Sequence, residues 1–224
     1  MPLFDPELIK THAPEVFTRA RFAIETGTCF GGSTRVMARA FERVWTIELS
    51  PELSVRTSTK MRAQGFSNVE FVHGDSGREL ASLLDRAPWG GLSEGEPLVF
   101  FLDAHWSGDR TVDWGARTPK GFRGYGADTA HRGRFAAPRS AAPSSEEQNP
   151  LLEELHAILT RCKGPALIVI DDLDCLPEQG PGSKDVGFVG EDWSHLSREK
   201  VLRSVQSRLV AHWQSRDQWL LLLS

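Results

Sequence analysis

Residues 22–41 read FAIETGTCFGGSTRVMARAF: an apolar run, then three glycines in a short span, then Val36, Met37, Ala40 and Phe41 at helical spacing. A run that breaks at glycine and resumes with a 3.6-residue period reads as a strand, a turn and a helix. The same alternation continues outward. Strand-like runs lie at 21–25, 43–48, 69–72, 98–103, 166–171 and 218–223, and helical patterns separate most of them. In NPLLEELHAILTRC, Leu151, Leu152, Leu155, Ile158 and Leu159 form one stripe. Apolar strands alternating with amphipathic helices imply a parallel sheet covered on both faces, so the fold class is α/β. SHLSREKVLRSVQSRLVAHW reads as a last helical stretch leading into the final strand.

The 224 residues suit a single domain with its own core. At 40% hydrophobic and 25% charged the composition is globular, and a net charge of −4 supplies no concentrated basic surface for nucleic acid. Cys29, Cys162 and Cys175 are scattered and lack CxxC spacing, which points away from disulfides or zinc and toward a reducing, cytoplasmic setting. MPLFDPELIK has no apolar signal-peptide core, and no run approaches the roughly 18 apolar residues of a membrane span. Residues 107–149 show no sustained periodicity and are rich in Gly, Arg, Pro, Ser and Ala. So long a connection inside a domain is an active-site lid or a disordered insertion. Between 107 and 143 seven Arg or Lys stand against three acids, so the segment is either a basic lid for an anionic or sugar-phosphate-bearing substrate or a solubilising insertion. Its last part, APRSAAPSSEEQ, reads as linker.

In an open parallel sheet, ligands bind beyond the carboxyl ends of the strands, where the first βα turn meets its helix. Glycine there lets the backbone approach a ligand, and the helix N-terminus offers free N–H groups. The spacing Glu25-x-Gly27-x-x-x-Gly31-Gly32-Ser33 is not the GxGxxG of dinucleotide binders. An acid two residues before the first glycine repels a pyrophosphate and favours a cationic amino group. Glu48 closes the next strand 21 positions after Gly27, placed to take two ribose hydroxyls. GDS follows the third strand, where Asp75 can accept from an exocyclic amine and Ser76 adds a polar contact. An amino-acid cation, a ribose and an adenine amine together describe S-adenosylmethionine. Each residue also has a plain structural reading: Gly27 and Gly31 as a tight turn, Glu48 and Asp75 as helix caps.

IETGTCFGGST, VWTIELS, VHGDS, FLDAHWSG and LIVIDDLD stand in the order and spacing of class I S-adenosylmethionine-dependent methyltransferases, which the chain resembles over roughly residues 20–176 apart from the long insertion. The resemblance implies a Rossmann-like fold, a mostly parallel seven-stranded sheet with helices on both faces. It assigns Glu25, Gly27 and Gly31, with Ser33 in the same loop, to the methionine end, Glu48 to the ribose, and Asp75 with Ser76 to the adenine end.

Asp103 ends the fourth strand, and Asp171 and Asp172 end the fifth. Adjacent strands deliver their terminal side chains to one edge of the sheet, so three carboxylates can converge beside the glycine loop. Packed without a cation they raise one another's pKa; a divalent ion removes that conflict, and hard oxygen ligands suit Mg²⁺. Such an ion can bind neighbouring oxygens of a diol or sugar, acidify the hydroxyl to be methylated and orient it toward the sulfonium methyl. The arrangement resembles the metal-dependent sugar O-methyltransferases of macrolide and aminocoumarin biosynthesis, the macrocin O-methyltransferase type, and more distantly the catechol type. That resemblance implies that Asp103, Asp171 and Asp172 bind the magnesium. Those relatives usually continue with a glycine and another acid or a histidine, where this chain has Ala104 and His105. His105, with an imidazole's ordinary pKa near 6.5, is either the general base or a metal-adjacent group that hydrogen-bonds substrate. Without a metal, Asp171 and Asp172 read as one pocket carboxylate and one helix cap. GADTAHRG in the insertion is similar to a stretch of some relatives, with Thr129 and Ala130 rejoining the shared framework.

The leading expectation is therefore an O-methyltransferase acting on a small hydroxylated molecule with S-adenosylmethionine and Mg²⁺, with His105 and Asp103 as catalytic residues. The alternatives are a metal-independent methyltransferase and a non-catalytic module that binds the cofactor. A nicotinamide-dependent oxidoreductase calls for GxGxxG and a Tyr or Lys at the site, whereas the single tyrosine is Tyr125, inside the insertion. Neither nucleic acid nor membrane is expected as a partner, and a homodimer is compatible with the sequence. Trp45, Trp89, Trp213 and Trp219 read as core and Trp106 as substrate-facing, while Trp193 and His195 begin the late helix and either border the pocket or simply cap it.

Overall fold

Six apolar runs become strands: β1 Phe22–Thr26, β2 Arg43–Glu48, β3 Val69–His73, β4 Leu98–Leu102, β5 Ala166–Ile170 and, last in the chain, β7 Gln218–Leu223. A seventh, β6 Leu209–Ser215, precedes β7. The computed structural model describes residues 4–86, 95–105, 148–180 and 192–224. Residues 107–147, with the expected lid, Tyr125, Thr129 and Ala130, lie outside the described residues, as do Trp89 and Trp106.

The strands order as β3-β2-β1-β4-β5-β7-β6. Strands β1 to β5 pair in parallel, while β7 runs antiparallel to both β5 and β6. The central β1, β4 and β5 are buried at every position, as strands covered on both faces must be. Helices α1 Pro6–His12, α2 Pro14–Arg19, α3 Gly32–Ala40, α4 Pro51–Ala63, α5 Ser76–Arg86, α6 Leu151–Arg161 and α7 Arg198–Val205 cover the sheet. Period-two alternation divides the core. Ile24, Ile47, Phe100, Ile168 and Leu221 pack with Leu80, Leu155 and Val201 on one face. Ala23, Val99, Phe101, Leu167 and Leu220 pack with Ile9, Met37 and Met61 on the other.

The late helical stretch is corrected. Only Arg198–Val205 is helical, capped by the Ser197 hydroxyl, which accepts the Lys200 N–H at 3.2 Å; Leu209–Ser215 is the edge strand β6. Its side chains alternate between half-buried and exposed, the pattern of a strand with one wet face. The end of the expected linker is corrected too. Gln148 and Asn149 are buried, and the Gln148 Oε1 accepts the Asp192 N–H at 2.8 Å.

The strand order reverses between β1 and β4, so their carboxyl ends open the crevice where sheets of this kind receive ligands. Gly27 follows the first of these strands and Asp103 the second.

Candidate functional site

The glycine turn is built by close backbone approach. Gly27 has φ +83°, and a Cβ there would lie 2.3 Å from the carbonyl oxygen of Asp103. Gly31, at φ +72°, leads into α3 where a Cβ would meet Thr57 Cγ2 at 2.8 Å. Both positions need glycine for packing alone. The turn is tied to β2, since Gly27 N–H donates to the Ile47 carbonyl at 2.9 Å and Cys29 N–H to Glu48 Oε2 at 2.7 Å. Glu48 Oε1 accepts the Ser50 N–H at 2.8 Å. Burial pushes the Glu48 pKa up, and these two backbone bonds oppose the rise without cancelling it.

Glu25 is 1% exposed, and its Oε2 accepts the Thr34 hydroxyl at 2.5 Å and the Thr46 hydroxyl at 2.6 Å. The Thr46 hydrogen is thereby spent, so the Thr28 hydroxyl, 2.5 Å away, is the donor to Thr46. Burial raises the Glu25 pKa to about 7 against the pull of the Thr34 and Thr46 hydroxyls. Ser33 Oγ accepts the Phe4 N–H at 3.1 Å, which anchors the N-terminal segment to α3. Asp75 caps α5 through the Arg78 N–H at 3.3 Å, and Ser76, the first residue of that helix, is buried. Glu48 and Asp75 keep lone pairs beyond these bonds, and they stand at the ends of successive strands. That pair fits a ligand carrying a diol and an amine, while Glu25 Oε2 already accepts two hydroxyls and Ser33 Oγ, which accepts the Phe4 N–H, keeps its own O–H to donate.

Beside this turn lies a cavity with about 10 Å³ open to the centre of a water molecule, room for one water or ion. Asp103, Ala104 and His105 after β4, Asp171 and Asp172 after β5, Glu154 of α6, and Trp193 are among its lining residues. His105 Nε2 stands 2.9 Å from Asp172 Oδ2 and 3.8 Å from Asp103 Oδ1, and ligand atoms of the three residues lie within 4.8 Å of one another. The His105 ring packs against Trp193, with centroids 5.5 Å apart.

All three carboxylates of the expected trio, Asp103, Asp171 and Asp172, line this cavity. Asp172 adopts a left-handed backbone with φ +54°, and the two neighbouring carboxylates have different partners: Asp171 Oδ1 accepts the Gln218 amide at 3.2 Å while Asp172 meets His105. The group of three potential ligands is Asp103, His105 and Asp172.

Burial and the nearby charges of Asp171 and Asp172 hold the Asp103 pKa well above the carboxylate range, with His105 opposing. Burial and Asp172 push Asp171 up to about 7. At Asp172 burial acts in the same sense, but the hydrogen bond and charge of His105 outweigh it and the pKa falls. Glu154, 1% exposed, is raised to about 7 by burial against the opposing Ser76 and Thr26 hydroxyls. The Cys29 thiol, pushed up to about 12 by burial and the Glu48 charge, is inert. Asp103 Oδ1, Asp171 Oδ2, Glu154 Oε1 and Trp193 Nε1 are buried without a hydrogen-bond partner among the described residues. Glu154 escaped the sequence reading because it sits between the leucines of an amphipathic stripe as an ordinary polar position would. Unpaired buried carboxylate oxygens are costly, and a cation in the cavity would satisfy them.

No protein-family model matches the sequence, and no curated protein matches it either. The fold is similar to the O-methyltransferase TomG of Streptomyces achromogenes, involved in tomaymycin synthesis and solved with SAM: TM-score 0.57, 17% identity, 99% of this chain and 81% of that one covered. It is also similar to an O-methyltransferase family protein of Burkholderia thailandensis, at TM-score 0.52, 12% identity and coverage of 98% and 54%. A protein of Pyrococcus horikoshii OT3 aligns at TM-score 0.52 and 12% identity, covering 97% and 89%. At these identities the likeness shows the Rossmann-like fold, with its mostly parallel seven-stranded sheet and antiparallel edge hairpin.

Proposed function

We propose that the protein is an S-adenosylmethionine-dependent O-methyltransferase of a small hydroxylated molecule such as a sugar, glycoside or natural product, assisted by a divalent metal. The observation that carries this reading is the pairing, across the switch point of the sheet, of the β1 turn and Glu48 on one side with the Asp103–His105–Asp172 cluster on the other. The O-methyltransferase names of two of the similar structures agree with it.

In this reading Glu48 takes the ribose hydroxyls and Asp75 the adenine amine of the cofactor, which supplies an electrophilic methyl group on sulfur. Asp103 receives the proton of the acceptor hydroxyl, and raised basicity suits it to that work, with His105 and Asp172 beside it. A bound divalent ion would be held by this cluster and would acidify the hydroxyl. The oxygen then forms its bond to the methyl carbon as the carbon–sulfur bond breaks, and the protein's contribution is orientation and exclusion of water.

The test is turnover of a panel of sugars, catechols and glycosides, read as S-adenosylhomocysteine formed, with and without chelator. Wild-type protein is expected to methylate at least one hydroxyl acceptor, while Asp103→Asn loses at least about a hundredfold in kcat, within the usual acid–base contribution, and still binds the cofactor. Cofactor binding with no turnover of any acceptor would favour a non-catalytic binding module.

A further inference from the structure

We propose that Asp103, His105 and Asp172 form a site for a first-row transition-metal dication such as Mn²⁺ or Zn²⁺, with His105 as a ligand in the place expected for Asp171. The inference rests on the metal-assisted reading above and changes which metal serves it.

The donor set carries the argument. An imidazole faces two carboxylates, at 2.9 Å from Asp172 and 3.8 Å from Asp103, and ligand atoms of the three lie within 4.8 Å of one another. Mg²⁺ selects oxygen donors and keeps its waters, whereas an imidazole nitrogen shifts preference toward Mn²⁺, Fe²⁺ or Zn²⁺. Asp172, left-handed at the backbone, meets His105, whereas Asp171 is held by Gln218 on β7.

A second observation, the lack of partners for buried carboxylate oxygens, also points to a cation. The Asp103 side chain is only 8% exposed and its Oδ1 has no hydrogen-bond partner; Glu154, still more buried, presents an equally unpartnered Oε1 in a residue lining the same cavity. A cavity of one-ion size bordered by orphaned carboxylate oxygens is suited to a cation. As a ligand, His105 would not also be the base for the acceptor hydroxyl.

The experiment uses the full chain, stripped with chelator and then equilibrated with Mn²⁺, Zn²⁺ or Mg²⁺, with the Mn²⁺ form read by electron spin-echo envelope modulation. Mn²⁺ and Zn²⁺ are expected to bind at least about tenfold more tightly than Mg²⁺, consistent with the preference of imidazole-containing sites. The Mn²⁺ spectrum is expected to carry nitrogen modulation from a coordinated imidazole, and His105→Ala to remove it with the far-UV circular dichroism unchanged. If that variant does not fold, nitrogen modulation in the wild-type chain carries the test. Mg²⁺ bound as tightly as Mn²⁺, without nitrogen modulation, would overturn this inference and leave metal assistance through oxygen donors standing. Nitrogen modulation that persists in folded His105→Ala would also overturn it. Failure of every dication to bind would overturn the metal-assisted reading as well, while cofactor titration of the same sample reports separately on the methyltransferase reading.

Discussion

Glu25 does two kinds of work that pull against each other. Its Oε2 ties α3 to β2 through Thr34 and Thr46, yet burial holds its pKa near 7. The folded state therefore keeps a proton there at pH values where the unfolded chain, at about 4.5, has lost it. Stability from this group is complete below pH 4.5 and is lost as the pH rises through about 7; Glu154 adds to it with the same sign. The unfolding free energy from urea titration is thus expected to fall between pH 5 and pH 8 by an amount on the order of a few kcal/mol, with the midpoint falling alongside. Glu25→Gln, whose carbonyl can still accept both hydroxyls, is expected to flatten part of that slope; a midpoint that rises with pH would contradict the assignment. At Gly27 the constraint is steric. Gly27→Ala combines φ +83° with a Cβ 2.3 Å from a carbonyl oxygen, so destabilisation of at least about 2 kcal/mol is expected from thermal unfolding.

Among the elements, α7 shows how far capping reaches. Ser197 is buried, and its hydroxyl is the side-chain cap of a helix whose Val201 and Val205 fill the core. Ser197→Ala is expected to cost about 1 kcal/mol in equilibrium unfolding, and a change within error would mean that the cap is not holding the helix. The residues after α7 explain why β6 was illegible. Val201, Val205, Leu209 and Trp213 recur every four positions, which imitates a helical stripe. The turn at 206–208 contains neither glycine nor proline to mark the break. The buried strands were legible because their apolar runs are bounded by turns. The β1 turn was legible as a close backbone approach because glycines cluster at a strand's carboxyl end, and Gly27 and Gly31 there both have positive φ.

At the scale of the whole molecule, the sheet order brings residues distant in sequence to one crevice, and here the reading of the site divides. Asp103 and His105 next to Asp172 follow from strand-end positions, which sequence reports well. Asp171 follows from the same reasoning and lines the cavity, whereas Glu154 does not, because a helix stripe hid it. The same crevice links ligand to stability. A cofactor that binds only the folded chain stabilises it by roughly 2.7 kcal/mol at a hundred times its dissociation constant, so the melting temperature should climb with S-adenosylhomocysteine concentration. No such climb would speak against a formed cofactor site.

Calorimetric titration of S-adenosylmethionine and S-adenosylhomocysteine into the protein, beside NAD, tests the central claim most directly. Saturable binding of the adenosyl ligands, weakened at least about tenfold in Glu48→Ala by loss of a charge-assisted pair of hydrogen bonds, with no heat from NAD, is the result predicted. Binding of NAD in preference, or adenosyl binding indifferent to Glu48, would contradict the account.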